Sequence, residues 1–236
     1  AIKIPYKSFC WSLGTTSFRT KNFNKTIEEQ LGLLNEFWLR PDVQNEAWTG
    51  NNVLQSKYYD FMKEKGFVEG NAGNKPKDAR EKTSGLVDIG LIDENRKLSD
   101  AGRALLQISS ENDFSSDNQF QIPKDSFIYL KQLLKTSYAV EGQTVRPFLV
   151  LLYLLSKIDY LTLDEYTYLL PLCIGEKETI EIKAGISMLR MNRTTIDEII
   201  VNRLMNMPNY IVALEYLLEN DVTEELICEV GLNRKS

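Results

Sequence analysis

The stretch Gly85-Leu-Val-Asp-Ile-Gly-Leu-Ile-Asp-Glu-Asn-Arg-Lys-Leu-Ser-Asp-Ala-Gly-Arg-Ala-Leu-Leu106 decides how the first half of the chain is read. Leu86 and Val87 continue the helical phase of Ala79 and Thr83, so they end a helix rather than begin a strand. From Gly90 the pattern changes: Leu91-Ile92 reads as a short strand, Glu94 to Lys97 as a polar turn, and Leu98 as a short return. Another helix begins near Ser99 and buries Ala101, Leu105 and Leu106.

Working upstream, two more helices come into view. Thr26 and Glu29 stand at capping-box spacing, and Ile27, Leu31, Leu34 and Trp38 share one stripe that Pro41 ends. A second helix is expected from Asn52 to Lys65, with Leu54, Tyr58, Phe61 and Met62 inward and Gly66 closing it. The third follows a polar loop, with Pro76 in its first turn, where proline costs least, and Lys77, Asp78, Arg80, Glu81 and Ser84 facing out. Three helices, the third with a polar face, followed by a two-stranded turn, are the order of a winged helix. Before them, Phe9 to Asn22 has no helical period and reads as an arm.

Downstream, Ser109 to Gln121 is polar and reads as a linker. The rest is almost wholly helical. Helices are expected at Lys124 to Thr136 (Phe127, Leu130, Leu133 and Leu134 inward), Pro147 to Lys157, Leu163 to Leu170 and Glu176 to Met191. Thr162 and Glu165 cap the third of these, and the apolar Pro147 helix reads as central and buried. Thr195 to Met205, Pro208 to Glu219 and Thr223 to Val230 complete the set. The expected fold class is mainly α with small β wings, in two winged-helix-like subdomains. Residues 1–108 hold the arm and the first, 109–122 link them, and 123–236 form a second, almost all-helical one.

Composition removes several kinds of chemistry. The 236 residues contain no histidine, which excludes Ser-His and Cys-His catalysis and histidine metal sites. Cys10, Cys173 and Cys228 lie far apart with no metal-like spacing, and so sparse a count fits a reducing cytoplasm. No secretory signal is evident, and the longest apolar run, Pro147 to Leu155, is too short to cross a bilayer, so no membrane partner is expected. The net charge of −5 argues against a nucleic-acid partner, but it is unevenly spread. Residues 1–107 carry 16 basic and 14 acidic side chains, against 12 and 19 in the remainder, and the first 27 residues have five cations and no acid. Phosphate binding follows such local clusters rather than the sum.

A winged helix places its third helix in the major groove of double-stranded DNA. On that reading Arg80 or Lys77 bonds guanine, Asn74 adenine, and Asp78 or Glu81 cytosine, while Lys75 and Lys82 touch phosphates. Arg96 and Lys97 in the wing stand ready for the backbone or the neighbouring minor groove. The same mixed-charge face also suits a winged helix used for protein contacts.

Three segments carry a family resemblance: Trp11-Ser-Leu-Gly-Thr-Thr-Ser-Phe-Arg19, Gly90-Leu-Ile-Asp to Ala-Gly102, and Leu149 to Leu170. In this order they resemble the N-terminal half of AlwI-family type IIS restriction endonucleases and their nicking relatives. The resemblance implies a DNA-recognition region of winged-helix-like subdomains, with a Mg²⁺-dependent nuclease domain of the PD-(D/E)xK type following in the same polypeptide. It also implies a short, asymmetric duplex site and a prokaryotic cytoplasmic setting. Thr15, Thr16, Ser17, Arg19, Lys21 and Asn22 would lie along the duplex, and Asn74 to Glu81 would read bases. The helix after Leu170, with Lys177, Lys183, Arg190, Asn192 and Arg193, would serve the second subdomain.

A nuclease of that type needs an acid and then an acid-x-lysine on an adjacent strand. Glu181-Ile-Lys183 has the triplet and Asp164 lies upstream, yet both stretches read as helix, so no catalytic residue or resident cofactor is expected in this chain. Two other classes stay open. A free-standing winged-helix transcription regulator would dimerise on a palindrome, and a helical protein-interaction domain would bind no duplex.

Overall fold

A computed structural model of the chain describes residues 10–11, 23–140, 142–206 and, singly, 211, 215, 219, 220 and 223. The expected contact residues Thr15 to Asn22 of the arm, and all but single residues of the last two expected helices, fall outside the described residues. The described part is mainly helical with a small two-stranded antiparallel sheet, as the sequence implied. It divides into two compact units, 14–136 and 1–13 together with 137–236.

The first unit is built on α1 (Phe23–Trp38), α2 (Asn52–Glu64), α3 (Lys75–Asp88), α4 (Asp100–Glu111) and α5 (Lys124–Lys135). Helix α1 begins three residues before Thr26, which therefore lies inside the helix rather than at its cap. Ile27, Leu31, Leu34 and Phe37 are buried on one face, opposite Leu54, Tyr58, Phe61 and Met62 of α2. Phe37 meets Tyr58 edge-on, with ring centroids 5.0 Å apart, and Trp48 in the α1–α2 connection does the same at 5.7 Å.

Helix α3 is capped by Asn74, whose side chain accepts the Lys77 N–H, and it ends where Gly90 adopts φ +70°. The two strands expected next shrink to a single antiparallel bridge, Ile92 to Leu98. The Asp93 and Arg96 amides close the turn between them, donating to Lys97 and Asp93 carbonyls at 2.9 Å. Ser99 then caps α4 by accepting from the Gly102 N–H, and its own hydroxyl donates to the Gly90 carbonyl. Leu105 is fully buried, while Ala101 and Leu106 only pack against the rim of the core.

The expected linker contributes its first three residues, 109–111, to α4. Helix α5 belongs to the first unit, not the second. It presents Asp125, Tyr129 and Gln132 inward, whereas Phe127, Leu130, Leu133 and Leu134 are only half-buried. The reason is polar: the Gln132 amide donates to the Ile89 and Gly90 carbonyls, which the end of α3 leaves unpaired.

The second unit opens with an antiparallel hairpin, β1 (Tyr138–Val140) and β2 (Gln143–Val145), that the scarcity of alternating patterns had hidden. Helix α6 (Pro147–Ile158) follows, and it is not central. Leu149 and Leu152 are 42% and 48% exposed, and among its residues only Pro147 and Leu154 are buried. The next segment winds as a π-helical turn (Glu165–Leu169) and a 3-10 turn (Leu170–Leu172), then α7 (Glu176–Arg190) and α8 (Ile196–Met205). The capping box at Thr162 and Glu165 forms as read, each backbone N–H donating to the other's side chain. Thr195 and Glu198 make another at α8. Trp11 packs into this unit, its amide donating to the Pro171 carbonyl and its indole to that of Cys173.

Gly102 shows how tightly the turn sits on α4. A Cβ there would lie 2.1 Å from the Leu91 carbonyl oxygen, so backbone would have to move. Gly102→Ala is expected to lower stability by about 1–3 kcal/mol despite alanine's better helix propensity. Urea denaturation reads this directly, and an unchanged or raised midpoint would contradict the packing.

Candidate nucleic-acid interface

Between Lys75 and Lys82, α3 carries four cations and two acids, with Ala79 and Thr83 buried beneath them. Lys77, Glu81 and Lys82 are exposed, and Lys75, Asp78 and Arg80 half-buried. Lys75 pairs with Asp60 of α2 at 2.7 Å, and Lys77 with Glu81 at 3.7 Å. Exposed pairs of this kind contribute about 0.2–1 kcal/mol, so a phosphate can displace them at little cost. Asn74 uses its side-chain oxygen as the helix cap, which leaves its NH₂ free of that duty.

Arg80 is held differently. One guanidinium nitrogen, Nη1, donates to Gln55 Oε1 at 2.5 Å and to Asn52 Oδ1 at 3.3 Å, both on α2. Among the described residues no carboxylate lies within ion-pair distance of it. Lys97 is exposed on the turn between Ile92 and Leu98, its ammonium 5.1 Å from the centre of the Trp38 ring.

Arg96 does not sit where an exposed wing cation was expected. The residue is 9% exposed, with a left-handed backbone at φ +62°. Its Nε donates to Thr83 Oγ1 at 2.9 Å, its Nη1 to the Glu94 carbonyl, and its guanidinium lies 5.5 Å over the Trp48 ring. Its own carbonyl accepts the Trp38 indole N–H. Burial pushes the guanidinium below its ordinary value, Glu94, Asp88 and Asp93 oppose that, and Arg80 adds to it. Arg96 is thus a strut between turn and helix.

Sequence reading missed Gln55 and Asn52. The available signal was Gln55 itself, a polar side chain amid the buried positions Leu54, Tyr58 and Tyr59 of α2.

The second unit also spends an arginine on structure. Arg190 grips Glu165 with two nitrogens, at 3.1 and 2.9 Å, and donates to the Ile158 and Tyr160 carbonyls while lying 4.1 Å over the Tyr160 ring. Lys183 is half-buried on α7, and Arg193 is exposed just beyond it. A cavity of about 580 Å³ lies beside β2, lined in part by Arg146, Leu149, Tyr153 and Glu176. Cys173 also faces it, but burial pushes that thiol up to about 12, so no thiolate nucleophile is available there.

Glu181 and Lys183 do not fit a nuclease centre. They lie in α7, where residues two apart diverge, whereas a strand would set both on one face. Glu181 pairs instead with Lys177 at 3.8 Å. Among the described residues no three acid, cysteine or histidine side chains gather closely enough to hold a metal ion, and no helix is long and apolar enough to cross a membrane.

A family model described as AlwI restriction endonuclease matches residues 87–230, more than half of the chain. The match starts in the last turn of α3 and takes in the 93–97 turn, α4, α5 and residues 137–230 of the second unit. Comparison with curated proteins and with solved structures found no match.

The Glu165–Arg190 pair makes acid stability testable. Burial raises the Glu165 carboxyl, but Arg190 and the Thr162 backbone N–H outweigh it and hold the group below its ordinary 4.5. A lowered folded-state value stabilises the protein above 4.5 and is lost as pH falls through it. Glu165→Gln is therefore expected to cost about 3 kcal/mol at neutral pH and to flatten the acid limb of stability. Thermal melts between neutral and strongly acidic pH check both, and an acid limb as steep as that of the parent would exclude Glu165 as its source.

Proposed function

Because the chain belongs to the AlwI restriction endonuclease family, we propose that it is the sequence-specific DNA-recognition part of such an enzyme, reading the major groove with α3 of the first, winged-helix-like unit. Family membership itself makes DNA the partner and a restriction enzyme the setting. The observation that carries the finer reading is the state of α3. Its cations are either unpaired by carboxylates, as in Arg80, or held only in weak exposed pairs, as in Lys75 and Lys77.

In this reading Arg80 bonds guanine, Asn74 and Lys77 supply further base contacts, and Asp78 or Glu81 accepts from cytosine. Lys75 and Lys97 lie along phosphates. Arg96 supports the wing from inside. Thr15, Thr16, Ser17, Arg19, Lys21 and Asn22 extend the phosphate grip, and Lys183 and Arg193 serve a second contact region. The duplex site is short and asymmetric. The Mg²⁺-dependent cleavage belongs to a C-terminal nuclease domain of the same polypeptide, a reading supported by the divergence of Glu181 and Lys183 on α7.

Selection from a random duplex pool, followed by affinity against salt, tests this. A short asymmetric consensus with a steep negative salt slope is expected. Arg80→Ala should relax one base position by about 1–3 kcal/mol, and Lys97→Ala should weaken all sequences alike and reduce the slope by about 1. A palindromic consensus bound by a dimer would favour a transcription regulator, and no enrichment at low salt would exclude DNA recognition by this chain.

A further inference from the structure

Gln55 is 2% exposed, too deep to reach any ligand, yet its amide is fully engaged at both ends. Its Nε2 donates to the Trp48 carbonyl at 2.9 Å, and its Oε1 accepts from Arg80 Nη1 at 2.5 Å. The amide therefore has one orientation, fixed by the backbone of the α1–α2 connection, and it passes that orientation to a half-exposed guanidinium on α3. Asn52, exposed at the start of α2, accepts a second bond from the same nitrogen.

Both acceptors are neutral. A carboxylate in their place would fix Arg80 equally well but would also satisfy its charge. Here the charge stays available, and both side-chain bonds fall on Nη1, so the edge formed by Nε and Nη2 has no protein acceptor among the described residues. That edge is a fork of two parallel N–H groups, the shape that matches two adjacent acceptors such as guanine O6 and N7. Arg80 is among the groups that push the buried Arg96 guanidinium down, so two positive charges bear on this point and disfavour a cationic ligand there.

We infer that Gln55 is a specificity-positioning residue: it holds the Arg80 guanidinium with its free edge turned outward, so that discrimination at one base pair depends on a side chain that never touches DNA. This rests on the reading of α3 as the base-reading helix. An arginine without the Gln55 bond would sample many rotamers, contact phosphate and base acceptors indifferently, and lose selectivity while keeping its charge.

The test uses the 236-residue chain and the duplex selected from the random pool, with every single base-pair variant and a scrambled duplex as probes. Gln55→Met is expected to reduce discrimination about tenfold at the one position that Arg80→Ala relaxes, leaving scrambled-duplex affinity and the salt slope unchanged. Added to Arg80→Ala it should cause no further loss, because it acts through that arginine. Asn52→Ala, at an exposed site, should give a smaller loss at the same position, and it serves as the test should Gln55→Met fail to fold. Uniform weakening at all positions, additive losses in the double variant, or an unchanged preference in Asn52→Ala and Gln55→Met would each overturn the inference. If Arg80→Ala itself relaxes no position while the chain still selects a consensus, the reading of α3 has failed instead. If Arg80→Ala relaxes one position and Gln55→Met relaxes none, only the positioning role has failed.

Discussion

Arg96 sits in the 93–97 turn with a left-handed backbone and carries its guanidinium under α3, where Thr83, the Glu94 carbonyl and the face of Trp48 receive it. Burying a cation is costly unless each donor finds an acceptor, and this one is held against that cost by bonds to two separate segments. Its own carbonyl meanwhile takes the Trp38 indole, so the last residue of α1 is tied to the same turn. The bridge between Ile92 and Leu98 is too short to hold the turn by sheet pairing alone. The arginine supplies what the strands do not.

The consequences run outward through Trp48. Its ring lies under Arg96 and edge-on to Tyr58, which places its carbonyl where Gln55 can donate to it. Gln55 in turn meets Arg80. A buried cation in the 93–97 turn and a half-exposed one on α3 are thus joined through one tryptophan and one amide. Gly102 belongs to the same construction, since its missing side chain lets the Leu91 carbonyl come down onto α4.

The second unit solves a similar problem with an ion pair. Glu165 opens a π-helical turn and is nearly inaccessible to solvent. Arg190, at the far end of α7, neutralises it and also takes the carbonyls of Ile158 and Tyr160. One side chain therefore joins the end of α6, the π turn and α7. An arginine so used has few donors left for a ligand, which is why Lys183 and Arg193 are the better candidates on that unit.

Helix positions in the first unit, the start of α4 near Ser99, the cap at Thr162 and the turn after Gly90 were legible in the sequence, because each depends on residues within a few positions of one another. So was the family, through short motifs in a fixed order. What could not be read was which polar side chains turn inward. Arg96 and Arg190 look like surface cations in a local pattern, and Gln55 and Gln132 like interruptions of an apolar stripe. Their distant partners, the Thr83 hydroxyl, the Ile89 carbonyl, the Glu165 carboxylate and the Arg80 guanidinium, lie 13 to 43 residues away and come within reach only once the helices have packed. The same limit hid the 138–145 hairpin and the placement of α5 and Trp11. By itself the sequence determined the helices and the kind of protein. The tertiary structure decided that Arg96 and Arg190 serve the fold and that Arg80 meets only neutral acceptors, because only packing reveals where a buried acceptor waits.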